Sequence, residues 1–214
     1  GIIVREIDAL GGQMPKTADK TYLQMKMLNT AKGPGVQSLR AQADKKVYPR
    51  YMQEVLKKQE NLDIIEGMVE DLIVEDNCVK GVILDNGQTI EGRMVILTTG
   101  TYLKAEILCG DQKHASGPDQ QKESKYLSEK LANLGMRIQR LKTGTPRVEI
   151  NSVDYSKTSL QPGTDANLAF SYQTNEFIPI EEQTPCYLTY TNEKTHQIIR
   201  DNLHRSSMYS GIVK

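Results

Sequence analysis

The chain has 214 residues, 38% of them hydrophobic, and its 27 Lys and Arg are balanced by 27 Asp and Glu. Such a length supports one to two domains, and the apolar content builds a core without a run long enough to span a membrane. Cys78, Cys109 and Cys186 are far apart, odd in number and without a CxxC pair, which argues against a disulfide framework and a zinc site and for a reducing compartment.

The zero net charge conceals a segregation. Residues 32–58 hold seven Lys and Arg against two Asp and Glu (+5), residues 60–91 one against nine (−8), and residues 104–147 nine against five (+4). Nucleic acid would meet the first or third block and avoid the second. The plainer alternative is that each block solvates its own face.

In chain order, residues 22–28 read as a strand followed by a loop at 32–35. Tyr48, Tyr51, Met52, Val55 and Leu56 recur at i, i+3, i+4, i+7 and i+8, the buried stripe of a helix. Pro49 is tolerable only near that helix's first turn or as a kink. Segments 62–65, 69–74, 78–84, 88–90 and 94–98 read as strands with a hairpin turn at Asn86-Gly87, so an acidic β-meander leads into a central apolar strand. That strand ends at Thr98-Thr99-Gly100-Thr101. In open α/β sheets ligands sit beyond the carboxyl ends of strands, and a glycine there lets the backbone approach a cofactor closely. A helix is expected to open at Ser124 and run to Leu134.

Beyond Gly135 the sequence alternates cations with small hydroxyl residues around Gly144, a pattern suited to phosphate or ribose oxygens but also to a solvated turn. Residues 153–185 are polar and loop-rich, consistent with an inserted lobe. A short apolar strand then meets a helix that Asn192 can cap, with Glu193 in its first turn. At helical spacing His196, Arg200 and His204 share one face, and Ile199 and Leu203 an adjacent one. Cys186 lies ten residues before His196, but a strand followed by a helix does not by itself bring thiol to imidazole, so Cys186 reads as structural.

Nothing in the 214 residues reads as strand, GxGxxG, helix. Gly11-Gly12 lacks the third glycine, and Lys32-Gly33-Pro34-Gly35 puts a proline where a phosphate loop needs a free N–H.

Five blocks in order, VREIDALGG (4–12), LNTAKGPGVQSLRAQAD (28–44), ILTTGTYL (96–103), RLKTGTPRV (140–148) and TPCYLTYTNEKTHQIIRDNLHRSSMYSG (184–211), closely resemble the MnmG (GidA) family of FAD-dependent tRNA uridine 5-carboxymethylaminomethyl modification enzymes. Thr145-Pro146-Arg147 departs from the doubled proline usual there. The resemblance implies an internal fragment of an α/β protein: a partial FAD/NAD(P)-binding, Rossmann-like (glutathione-reductase-like) domain with a β-meander over residues 1–135, and an inserted α+β lobe over 136–214, part of an NADH- and tRNA-binding region.

The family pattern further implies that Val69, by main-chain contact, and Ser124 join Thr99, Gly100 and Thr101 in binding FAD. The expected tRNA face combines Arg140, Lys142 and Arg147 with Arg200 and Arg205. No residue is assigned covalent catalysis and no metal site is expected. Also implied are NADH as reductant, methylenetetrahydrofolate as one-carbon donor, an MnmE-type GTPase partner, a homodimer and a cytoplasmic location, with no membrane and no DNA. Rival readings are a non-catalytic tRNA- or partner-binding fragment and a flavin oxidoreductase of small molecules.

Overall fold

The computed structural model describes residues 1–142, 144, 148–207 and 209–210. Its helices and strands run α1 (Ile2–Ala9), α2 (Met14–Thr21), β1 (Tyr22–Leu28), β2 (Ser38–Ala43), α3 (Val47–Lys57), β3 (Val69–Glu75), β4 (Cys78–Leu84), β5 (Thr89–Glu91), β6 (Glu106–Cys109), β7 (Gln112–Ala115), α4 (Leu127–Asn133), β8 (Ser159–Gln161), β9 (Cys186–Leu188) and α5 (Glu193–Asp201). They form two compact units, each discontinuous in sequence: Gly1–Ile64 with Val148–Tyr190, and Ile65–Arg147 with Thr191–Lys214. A division at 135/136 coincides with neither boundary, because the residues after 148 fold back onto the first strand.

In the first unit, α1 stops where its sequence turns to Leu-Gly-Gly. Gly11 takes φ +86°, its N–H donates to Asp8 C=O (2.8 Å), and the Gly12 N–H donates to Ile7 C=O (2.8 Å). This pair of bonds is the Schellman ending, which needs a residue free to adopt the left-handed region. The glycine pair is thus a helix cap, not a phosphate loop. Helix α2 carries Pro15 in its first turn, where a missing N–H costs nothing.

Strand β1 pairs antiparallel with β2, setting Met25 opposite Ala41 and Met27 opposite Leu39. Ala18, Tyr22, Met25, Leu39 and Phe170 form the core, with Val4, Tyr48, Leu168 and Ile178 packed against it. The other edge of β1 is closed by segments more than 130 residues away. Thr164 N–H donates to Met25 C=O (3.0 Å) and Thr184 N–H to Leu23 C=O (2.8 Å). Met25 N–H donates to Gln183 Oε1 and Met27 N–H to Thr164 Oγ1, both at 3.0 Å. Main-chain groups that would otherwise form an open sheet edge are thereby satisfied and closed to stray pairing.

Helix α3 begins at a cap that Asp44 supplies, its Oδ1 accepting from the Val47 and Lys46 N–H groups (2.8 and 2.7 Å). Those main-chain donors hold the Asp44 carboxyl below its ordinary range. Pro49 falls in the first turn, as the sequence requires. The apolar stripe is half-buried rather than buried, with Leu56 exposed, since α3 rests chiefly on the single helix α2.

The second unit is built on a three-stranded antiparallel sheet in the order β3-β4-β5. Asp76 and Asn77 both take positive φ (48° and 62°), the signature of a type I′ hairpin between β3 and β4. At the next turn Asn86 Oδ1 accepts from Gln88 N–H (2.9 Å). Two expected strands do not form. Residues 62–65 and 94–98 have no ladder partner among the described residues, and Met94 and Ile96 are 86% and 87% exposed. An apolar run becomes a strand only where another strand accepts its hydrogen bonds.

The fourth helix starts at Leu127, three residues later than expected, and buries Leu127 and Leu131. It packs on β3, where Lys130 pairs with Asp71 at 2.9 Å. Helix α5 has the expected cap, with Asn192 Oδ1 accepting from Thr195 N–H (3.0 Å).

The feature that organises the first unit is Asp19. Only 3% exposed, its carboxylate accepts from Phe170 N–H (2.9 Å), Ser171 N–H (2.8 Å) and Thr174 Oγ1 (2.7 Å). The neighbouring Tyr172 N–H donates to Asp8 Oδ2 (2.9 Å). Removing such an acceptor strands several buried donors at once, each costing about 1–3 kcal/mol. Asp19→Ala is therefore expected to lower the unfolding free energy by on the order of 3 kcal/mol or more, with Asp19→Asn losing less; urea unfolding of the two variants checks both magnitude and rank.

Candidate functional site

Every described residue of the two predicted sets lies in the second unit. Val69 opens β3, half-buried, and faces Leu84 in the ladder. Its carbonyl lies 3.4 Å from Ser124 Oγ, which donates to it. Ser124 is buried, forms an isolated parallel bridge with Leu103, donates its N–H to Tyr102 C=O (2.9 Å) and accepts from Lys104 N–H (2.7 Å). Tyr102 N–H in turn donates to Thr99 C=O (3.2 Å), closing the turn that holds Gly100 and Thr101. All five cofactor candidates thus belong to one local network, main-chain bonds around residues 99–104 and Ser124 with the Ser124 hydroxyl reaching Val69.

Ser124 does not open a helix. Its N–H and C=O engage the 102–104 segment and its hydroxyl donates to Val69 C=O, while α4 begins three residues later at Leu127 with no side-chain cap. Gly100 sits at φ +55°, exposed, with Thr101 exposed beside it. Sequence reasoning passed over Tyr102 and Gln121: the Tyr102 hydroxyl donates to Gln121 Oε1 (2.5 Å), and the ring fills the space a Cβ at Gly117 would need, 2.7 Å away. An exposed glycine turn linked through Ser124 to the start of β3 fits a main-chain contact to a flat ligand edge, and no side-chain charge is required of these residues.

Two of the cations, Arg140 and Arg205, are held by the β6–β7 hairpin. Glu106, at its base, pairs with Arg140 (3.3 Å) and with Lys113 across the ladder (3.1 Å). Asp111, at its tip, receives the Arg205 fork, Nε and Nη2 donating at 3.1 and 2.7 Å to Oδ2. One hairpin thus anchors both motif segments, one at each end. No sequence signal pointed to Glu106 or Asp111, because neither lies near its partner in the chain.

Arg200 pairs with Glu193 at 2.9 Å on α5, while Lys142 is exposed with no carboxylate partner among the described residues. Arg147 lies outside the described residues. Helix α5 ends at Asp201, so His204 falls in a short 3-10 turn (Leu203–Arg205) and does not continue the α-helical face of His196 and Arg200. His196 Nε2 lies 2.9 Å from Thr191 Oγ1. Exposed pairs of this kind are worth about 0–1 kcal/mol and exchange partners readily. Arg140, Arg200 and Arg205 are accordingly held by pairs weak enough to leave them within reach of a stronger anion.

The acidic meander is partly neutralised by the third charge block. Lys122 pairs with Asp85 at 2.8 Å, which holds that carboxyl below its ordinary range and raises the lysine, and the hydrogen bond from Lys130 to Asp71 raises Lys130. Cys186 is half-buried in the first unit, its thiol donating to Gln24 Oε1 at 3.6 Å, while His196 belongs to the second unit. No group of His, Cys, Asp and Glu with metal-binding geometry occurs among the described residues.

The hydrogen bonds from Arg205 hold the Asp111 carboxyl below the usual carboxylate range and raise the guanidinium in turn. A depressed folded pKa means that the tie is present above the ordinary carboxylate value of about 3.9 and is lost as pH falls through the depressed value. Protection of the Arg205 Nε–H from solvent exchange, followed by NMR, is expected to persist at pH 4 and collapse below it. In Asp111→Asn that acid transition should be absent.

A family model described as "Glucose inhibited division protein A" matches residues 1–214. Among curated proteins, the tRNA uridine 5-carboxymethylaminomethyl modification enzyme MnmG of Geobacillus kaustophilus is 56% identical over 215 residues, and that of Bacillus subtilis 54%. Both alignments cover all of this chain, which spans about a third (34%) of either relative's length. Among solved structures, Aquifex aeolicus GidA in its form I crystal superposes with a TM-score of 0.89 at 45% identity, covering 100% of this chain and 37% of that one. Its form II crystal gives 0.86 at 44%, covering 99% and 36%. The α/β fold, with its mixed helices and antiparallel sheets, is that of these structures.

Proposed function

The chain belongs to the glucose inhibited division protein A (GidA, MnmG) family, and on that premise we propose that it takes part in an FAD-dependent modification of carbon 5 of the wobble uridine in tRNA. The observation that carries this reading is the meeting, within one compact unit, of a glycine turn joined to a strand start and of cations fixed around a hairpin. The first suits a flavin nucleotide and the second a phosphodiester chain.

In this reading FAD, replenished by NADH, supplies the redox chemistry that joins a one-carbon unit from methylenetetrahydrofolate and an aminomethyl donor, glycine or ammonium, to the uridine. The chain's own residues bind and orient. Val69 and the Thr99-Gly100-Thr101 turn offer main-chain edges to the cofactor, and Ser124 holds Val69 in place. Arg140, Lys142, Arg147, Arg200 and Arg205 meet RNA phosphates, which positions the substrate without reading its sequence. The division at 135/136 is then one of roles along the chain, flavin side before and tRNA side after. An MnmE-type GTPase partner, a homodimer and a cytoplasmic location follow from the family resemblance, and no helix among the described residues is long and apolar enough to cross a membrane.

The 214 residues contain no GxGxxG, whose helix dipole and main-chain donors supply much of a dinucleotide site. The chain is therefore expected to purify without colour and to be inactive alone; an absorption spectrum with stoichiometric flavin would contradict this.

The tRNA assignment is tested by Lys142→Ala with Arg200→Ala. Removing a cation that neutralises one phosphate lowers the slope of log K against log salt by about 0.7–0.9. Lys142, with no carboxylate partner among the described residues, should account for most of a full unit, and Arg200, already paired with Glu193, for less. A gel shift titrated with salt reads both, and an unchanged slope in the double variant would leave these cations as a solvated face.

A further inference from the structure

Left-handed backbone is kept, through most of the chain, to residues that tolerate it. Of the seven non-glycine residues with positive φ among the described residues, five are Asn or Asp, whose short polar side chains suit that region. The other two are Lys104 (φ 43°) and Gln120 (φ 63°), and Gln120 directly follows Asp119 at φ 55°. Gly or Asn at 104 and 120 would hold the same conformation at lower cost.

Both outliers border one node of the second unit. Lys104 N–H donates to Ser124 C=O (2.7 Å). The Asp119-Gln120 pair turns the chain so that Gln121 C=O accepts from Gly117 N–H (2.8 Å) while the Gln121 side chain meets the Tyr102 hydroxyl. Strained backbone persists only where its surroundings over-determine it, and it collects at ligand clamps and active sites. Here it holds Tyr102.

Tyr102 is tied by main chain and side chain alike. Its N–H donates to Thr99 C=O (3.2 Å) and closes the turn that exposes Gly100 and Thr101. Its C=O accepts from Ser124 N–H (2.9 Å), and the Ser124 hydroxyl donates to Val69 C=O. One residue thus bridges the two parts of the cofactor set, which lie more than twenty residues apart in the chain. The ring packs along the backbone at both ends: a Cβ on Gly117 would stand 2.7 Å from Cδ1, inside contact distance, and one on Gly100 would touch Cδ2 at 3.6 Å.

We infer that Tyr102 is the positioning residue of the flavin-nucleotide site. Anchored by the Gln121 acceptor and by Gly117, it sets the Thr99–Thr101 turn and Ser124 where their main-chain edges meet the cofactor. The inference rests on the cofactor reading proposed above and adds to it the residue that joins two separate segments into one site.

The test uses the full 214-residue chain, with FAD added in large excess because the chain has no GxGxxG. NMR follows two quantities: solvent exchange of the Tyr102, Lys104 and Ser124 N–H groups without ligand, and the amide shifts of Val69, Gly100 and Thr101 as FAD is added. Tyr102→Phe keeps the ring and removes the hydroxyl; Gln121→Met keeps the length and removes the acceptor. Each should speed exchange at the three amides and weaken FAD by about three- to tenfold, the worth of one hydrogen bond. The double variant should lose no more than either single one, and Gly117→Ala, whose Cβ displaces the ring, should lose more. The melting temperatures of Tyr102→Phe and Gln121→Met should scarcely move, since the bond they remove is exposed. Unchanged exchange and unchanged FAD affinity in these two variants would overturn the inference, as would losses that track a lowered melting temperature, which would make Tyr102 structural. If FAD shifts none of the amides in the unsubstituted chain, the cofactor reading itself fails, and the positioning role with it.

Discussion

The first unit depends on how one strand is satisfied on both edges. Strand β1 has β2 on one side, its partners 10 to 21 residues away in the chain, and on the other a set of donors and acceptors drawn from residues 161–184. The second group is irregular, and two of its contacts are side-chain oxygens of Gln183 and Thr164 standing where the carbonyls of a third strand would otherwise accept. Asp19 helps that arrangement hold, because its buried carboxylate gathers the Phe170 to Thr174 turn in the middle of the returning segment. An irregular lobe can then close a sheet edge without forming a sheet of its own.

The second unit solves a different problem with similar means. Its meander is highly acidic, and a sheet of that charge would repel both itself and an approaching polyanion. Lys122 and Lys130, from the basic block that follows, neutralise Asp85 and Asp71. The same block contributes Arg140 to the hairpin, whose two acidic residues hold cations from segments some sixty residues apart. Acidic residues in this unit therefore serve as fixed partners that set the positions of basic ones, a role their overall negative charge conceals.

Family membership connects these devices to a reaction but leaves their parts unequal. The cofactor candidates present main-chain edges and one exposed glycine turn, which give shape and little charge. The tRNA candidates give charge with little burial. In the proposed reading, that contrast would suit loose, exchangeable contacts to RNA, since exposed pairs cost little to break and phosphate contacts carry no sequence information.

Local signals read correctly from the sequence were those whose physics is itself local. The Asn192 cap, the position of Pro49 in the first turn of α3, the Asn86-Gly87 turn and the strands β3 and β4 each depend on a few neighbouring residues, and each is where the pattern put it. The five family blocks were legible for the same reason, being contiguous strings. Readings failed where the outcome rests on a distant partner. Residues 94–98 have a strand's composition and find no strand to pair with among the described residues; Ser124 looks like a cap and is instead claimed by Val69 and Tyr102. Asp19, Glu106 and Asp111 left no mark in any motif, because an isolated acid in a sequence is indistinguishable from a solvated one. Composition and period determine which elements are possible; only the tertiary structure decides which hydrogen-bond donors a buried carboxylate meets, since those lie 150 residues away along the chain and under 3 Å away in space.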